Sequence, residues 1–140
     1  MKILWIEDES NLLEGLFRPL KRQGAMILAV PTAEEGIQEF INSGPYDVVV
    51  IDLILPRSIE PKLLAREDDN EFYPGVEVLR KIRELDQHTP VVVLTVVGDV
   101  RLRGIIHSLG AKLMLKGSLL PQEFCATIRS MVNGRTGPNS

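Results

Sequence analysis

YDVVVIDLILP, residues 46–56, decides the fold of this chain: four consecutive β-branched aliphatics, Val48 to Ile51, run straight into a carboxylate, Asp52. A continuous apolar run of that length is the pattern of a strand buried on both faces, as in a parallel sheet covered by helices. Three other runs repeat it. Ile3 to Ile6 ends on Glu7 and Asp8, Val91 to Leu94 on Thr95, and Leu113 to Leu115 on Lys116. Helix-length amphipathic segments separate them, which makes an alternating β/α fold. All strands of a parallel sheet open at their C-terminal ends on the same edge, and ligands bind in the crevice there, where the strand order reverses. Three carboxylates, a hydroxyl and an ammonium, far apart in sequence, are therefore expected to meet in one pocket.

The rest of the chain divides into five β/α units. A strand over Lys2 to Ile6 leads to a helix from about Asn11 to Arg22, with Ser10 as N-cap and Gly24 as stop. A second strand spans about Met26 to Val30. Thr32 and Glu35 form a capping box for a helix to about Asn42, which Ser43-Gly44-Pro45 ends. The third strand is Asp47 to Ile51. Val76, Leu79, Ile82 and Leu85 recur at helical spacing, so Gly75 to Leu85 is an amphipathic helix before the fourth strand, Val91 to Leu94. A shorter helix, about Val100 to Ser108, stops at Gly110. Lys112 to Leu115 is the fifth strand, and Pro121 opens a last helix through Val132. Asn133 to Ser140 is expected to be a disordered tail.

Composition fits one soluble domain over residues 1–132: 140 residues, 44% hydrophobic and 25% charged. A net charge of −3 gives no electrostatic reason for direct binding to nucleic acid or an anionic membrane. No stretch reaches the ~20 apolar residues of a membrane span, and the cytoplasm is the expected compartment. Cys125, the single cysteine, falls among apolar helix positions and reads as a core residue. Trp5 reads as a core aromatic. His88 and His107 have no partner at metal-ligand spacing.

The runs ILWIEDE, YDVVVIDLILP, TPVVVLT and GAKLMLK together resemble the receiver domain of bacterial two-component response regulators, over nearly all of residues 1–132. The resemblance implies a flavodoxin-like (βα)5 doubly wound parallel sheet of order 2-1-3-4-5, with Glu7, Asp8 and Asp52 facing one another at the switch point between strands one and three. The chemistry of these residues agrees. Converging carboxylates repel, and a hard divalent cation neutralises them; Mg²⁺ suits Asp8 and Asp52, helped by Glu7 through water and by the backbone carbonyl of Ile54. Asp52 is then the nucleophile that becomes an aspartyl phosphate, Lys116 a point charge on one phosphoryl oxygen, and Thr95 a hydroxyl donor to another. The resemblance implies a phosphohistidine of a sensor kinase or phosphotransfer protein as donor, with acetyl phosphate as substitute. The domain is consumed by its own modification, so it is not an enzyme in the turnover sense.

Taken singly, each residue has a plainer reading. Glu7 and Asp8 could cap a loop, Thr95 could be only a β-branched strand residue, and Lys116 a solvated lysine. Their joint order along the chain argues for the site. The sequence also departs from the family. Leu113 stands where an aromatic is usual three positions before the lysine, Gly117 where a proline usually follows it, and Val96 where a small residue borders the phosphate. Residues 57–74 form an insertion, read as either a lid or specificity element or a tolerated surface loop.

The leading expectation is a stand-alone receiver signalling to a separate partner through the face near Gly98 to Leu115, with homodimerisation on activation left open. A pseudo-receiver that docks without phosphorylation is the alternative, and a truncated piece of a longer protein also fits. A small hydrolase is opposed by Ile54, which occupies the position of the second acid in an Asp-x-Asp phosphatase.

Overall fold

The structure is a computed structural model and describes residues 1–55, 73–96 and 98–136. The expected insertion at 57–74 lies outside the described residues except for Tyr73 and Pro74, which lead into a helix. Five parallel strands form one sheet in the order β2-β1-β3-β4-β5, as expected. They are β1 Lys2–Ile6, β2 Met26–Val30, β3 Val48–Asp52, β4 Val91–Thr95 and β5 Lys112–Leu115. β3 and β4 are buried at every residue, which is why they read as unbroken apolar runs. β3 and β4 each reach one residue further than expected, so Asp52 and Thr95 belong to the strands and take part in register: Asp52 lies opposite Leu94, and Thr95 opposite Leu115.

Helices cover both faces. Leu4, Ile6, Val49, Ile51, Val91 and Val93 point to the side of α3 (Ala33–Ser43), α4 (Pro74–Leu85) and α5 (Val100–Ser108). Ile3, Trp5, Val48, Val50, Val92 and Leu94 point to the other side. There they meet α1 (Ser10–Leu13), α2 (Arg18–Arg22) and α6 (Pro121–Thr136). On that side Trp5 packs on Phe17 at 4.4 Å between ring centroids, and Phe17 meets Phe124 edge-on at 5.0 Å. Pairs of this kind add roughly 0.5–1.5 kcal/mol each beyond their buried area. Cys125 is buried beside them and its thiol reaches the Leu16 carbonyl at 3.0 Å, in keeping with a core role.

Two helices differ from expectation. The single helix expected over 11–22 is three pieces, α1, a 3-10 turn over Glu14–Phe17, and α2. Pro19 is the reason: it has no N–H for the Gly15 carbonyl and its ring would clash there, so Arg18 N–H takes that carbonyl instead and the helix restarts. Ser10 is the first residue of α1 and makes no capping bond. The last helix continues past Val132 to Thr136. Elsewhere the local signals hold. Thr32 caps α3 by accepting from the Glu35 N–H at 3.2 Å, and Gly24 and Gly110 take the positive φ angles, 91° and 71°, of helix stops.

Candidate functional site

The ends of β1, β3, β4 and β5 bring the expected residues to one edge of the sheet. Glu7 follows β1 and its N–H continues the ladder to the Val30 carbonyl at 2.9 Å. That bond sets the Glu7 side chain inside the edge, where it is 1% exposed, whereas Asp8, one residue on, is exposed. Asp52 ends β3 and Thr95 ends β4, both buried. Lys116 begins a 3-10 turn directly after β5.

Among the described residues three acids and one base share this space. One carboxylate oxygen from each of Glu7, Asp8 and Asp52 lies within 4.8 Å of the others. Lys116 Nζ stands 2.7 Å from Glu7 Oε1 and 3.2 Å from Asp52 Oδ1. The Ile54 N–H donates to the same Asp52 Oδ1 at 3.3 Å, which orients the carboxylate. Ile54 itself turns its side chain outward, 51% exposed.

The acids of this edge outnumber the bases among the described residues. Burial, then the Asp52 carboxylate beside it, pushes the Glu7 carboxyl up to about 7, against the pull of Lys116. Burial draws the Lys116 ammonium down, but Glu7 and Asp52 outweigh it and hold its pKa above the usual lysine value. Among the described residues one lysine thus faces three carboxylates, and Glu7 Oε2 is buried with no hydrogen-bond donor. A buried acceptor left open beside two further carboxylates is the donor set of a hard cation, so these residues fit Mg²⁺. His88 and His107 are both exposed and away from this edge.

One residue at the edge escaped the sequence reading. Gly75, in the first turn of α4, donates its N–H to the Leu53 carbonyl at 2.9 Å. Its place after Pro74 signals a helix start and nothing about Asp52. At the far end of the sheet, the cavity between α5 and β5, about 420 Å³, is lined by Val100, Arg103, Gly104, His107, Lys112 and Leu113 among others.

This is a doubly wound α/β domain whose strand ends, at the switch point where such folds bind ligands, gather acids around a paired lysine. Residues 3–129 match the family described as the response regulator receiver domain, and the chain belongs to that family. It is 34% identical over 133 residues to the transcriptional regulatory protein CutR of Streptomyces coelicolor, covering 94% of this chain and 53% of that protein. It is 31% identical over 99 residues to the two-component response regulator PhoP of Pseudomonas aeruginosa, covering 71% of this chain and 37% of that protein. The chain thus spans about a third to a half of the length of these relatives. Among solved structures, a two-component response regulator from Clostridium difficile superposes with a TM-score of 0.77 at 20% identity, over 98% of this chain and 99% of that one. A receiver domain protein from Clostridium thermocellum gives a TM-score of 0.74 at 26% identity, covering 96% of each chain.

Proposed function

We propose that this receiver domain accepts a phosphoryl group on Asp52 from a phosphohistidine of a sensor histidine kinase or phosphotransfer protein, and hands the resulting state to a separate partner. The observation that carries the reading is the contact of Lys116 Nζ with both Glu7, at 2.7 Å, and Asp52, at 3.2 Å, inside a cluster of three acids.

In this reading an Asp52 carboxylate oxygen attacks phosphorus. The new O–P bond forms as the donor's N–P bond breaks, and the electron pair returns to the imidazole nitrogen. The Ile54 N–H holds the carboxylate in place through Oδ1. Lys116 follows the charge as it develops on a phosphoryl oxygen, and Thr95, buried one strand away, supplies its hydroxyl to a second. Glu7, Asp8, Asp52 and the Ile54 carbonyl are the residues that would hold Mg²⁺, which when bound supplies charge neutralisation for the acids and the phosphoryl oxygens. The product is a modified protein and no substrate is turned over.

Output is assigned to the face around α5 and β5. Of α5 only Leu102 and Ile106 are buried, and Val100 is 83% exposed, so the helix has little burial to lose on changing place. The domain is assigned to the cytoplasm; among the described residues no helix is long and apolar enough to cross a membrane. A docking module without phosphorylation is the second reading, favoured by Leu113 in place of the usual aromatic.

The test is intact-protein mass after incubation with acetyl phosphate and Mg²⁺, for the wild-type chain and Asp52→Asn, with and without chelator. A gain of one phosphoryl group that needs metal and vanishes in Asp52→Asn is expected. No gain from folded protein, even with a phosphorylated histidine donor, selects the docking module.

A further inference from the structure

Gly75 lies flat on the main chain that carries Asp52. A Cβ added there would overlap the Asp52 carbonyl oxygen and come within 2.7 Å of the Leu53 Cα and 2.9 Å of the Leu53 carbonyl oxygen. All three are backbone atoms, so no rotamer change can relieve the contact. The backbone of Gly75 is not in the left-handed region, which marks Gly24 and Gly110 alone among the described glycines. What demands glycine here is space.

The contact closes a clamp on one peptide. The Leu53 N–H donates to the Leu94 carbonyl on β4 at 3.0 Å, and the Leu53 carbonyl accepts from Gly75 N–H at 2.9 Å. The segment immediately after Asp52 is therefore held by the sheet on one side and by α4 on the other. α4 is itself firmly seated, with Val76, Val78, Leu79 and Ile82 buried in the core. A side chain at position 75 would thus meet a helix that resists lifting, and the displacement falls on residues 52–54. Those residues aim the Asp52 carboxylate, since the Ile54 N–H reaches Oδ1, the oxygen that also faces Lys116.

We infer that Gly75 is a positioning residue for the Asp52 carboxylate: by lacking a side chain it lets the first turn of α4 press on the 52–53 peptide and so sets where the carboxylate stands relative to Lys116. This rests on Asp52 as phosphoacceptor.

The experiment compares Gly75→Ala with Val76→Ala, which removes buried volume from the same helical turn, in the full chain. Three quantities are read: the maximal phosphorylation rate at saturating acetyl phosphate and Mg²⁺, the stability to urea, and the Mg²⁺ affinity by calorimetry. Gly75→Ala is expected to lower the maximal rate about 100-fold per folded molecule, the order of loss that a displacement near 1 Å causes. Val76→Ala is expected to lose stability and keep the wild-type rate. A folded Gly75→Ala with a rate within about twofold of wild type overturns the proposal, as does an equal slowing in Val76→Ala. If Gly75→Ala does not fold, hydrogen exchange of the wild-type Gly75 amide decides: protection equal to that of the β3 and β4 amides is expected, and exchange as fast as at exposed helix starts overturns it. If the wild-type chain takes up no phosphoryl group, the phosphoacceptor reading fails by itself. The clamp is then judged on Mg²⁺ affinity, where about tenfold weakening in Gly75→Ala supports it and an unchanged value overturns it.

Discussion

Lys116 and Glu7 form the closest ion pair of the site, 2.7 Å between Nζ and Oε1, and the Glu7 side chain in it is wholly removed from solvent. Removing one partner of a buried pair leaves the other charge uncompensated, at a cost of roughly 3–5 kcal/mol. Lys116→Met is therefore expected to lower metal-free stability by about 3 kcal/mol in urea unfolding, with part of the loss restored by Mg²⁺. The same variant should slow phosphorylation of Asp52 by about 100-fold, the order found when one positioned charge-stabilising donor is lost. Retention of the wild-type rate would remove Lys116 from the transfer step.

Val96 follows Thr95 at the end of β4 and is 70% exposed. On the proposed function, a branched side chain there would narrow the approach of water to a phosphoryl group on Asp52. Val96→Ala is expected to shorten the lifetime of the phosphorylated protein several-fold, read from the decay of the phosphorylated mass after the donor is removed. An unchanged lifetime would show that position 96 does not gate hydrolysis.

Arg83 joins three parts of the chain. It donates to the carbonyls of Leu109 at 2.6 Å, Thr89 at 2.8 Å, Asp86 at 3.2 Å and Gly110 at 3.2 Å, and so closes the C-terminal ends of both α4 and α5. Hydrogen bonds from a charged donor contribute roughly 1.5–3 kcal/mol. Arg83→Met keeps the aliphatic stem and is expected to cost about 2–3 kcal/mol in urea unfolding while leaving the phosphorylation rate of folded protein unchanged.

Burial raises the Cys125 thiol above its ordinary pKa, against smaller opposing pulls from the backbone near Leu20 and from Arg129. A raised folded-state value means that the protonated thiol favours folding. This contribution is complete below the unfolded pKa of a thiol and is lost as pH rises through the folded value. Native protein is expected to resist alkylation by iodoacetamide at pH 8, and urea-unfolded protein to react at the rate of a free thiol. Equal rates in the two states would place Cys125 at the surface.

The strand ends were legible because each candidate site residue stands at the end of an apolar run of the kind a parallel strand makes. Asp52 after Val48 to Ile51 is the clearest case, and Lys116 after Leu113 to Leu115 the weakest, since β5 is an edge strand with half-open faces. Other features depend on contacts that no local pattern carries. The break at Pro19 is a local rule that the apolar spacing of 11–22 masked. Met131 and Val132 pack against the core beside Phe124 and Ile128, so α6 is anchored up to the point from which it runs on to Thr136, and that anchorage is visible only once the core is placed. Gly75 and Arg83 work on main-chain atoms 22 and 26 residues away in sequence, at Leu53 and Leu109, where hydrophobic periodicity is silent.

Trp5 is the single tryptophan of the chain, on β1 and two residues before Glu7, with its indole N–H buried and without an acceptor among the described residues. An indole in so dry a setting emits at short wavelength, and excitation at the red edge of protein absorbance selects it alone. The domain therefore carries its own optical gauge. The cation entry and phosphoryl transfer proposed at the neighbouring carboxylates are expected to change this emission on the unlabelled molecule, with the tilted ring of Phe17 packed against the reporter.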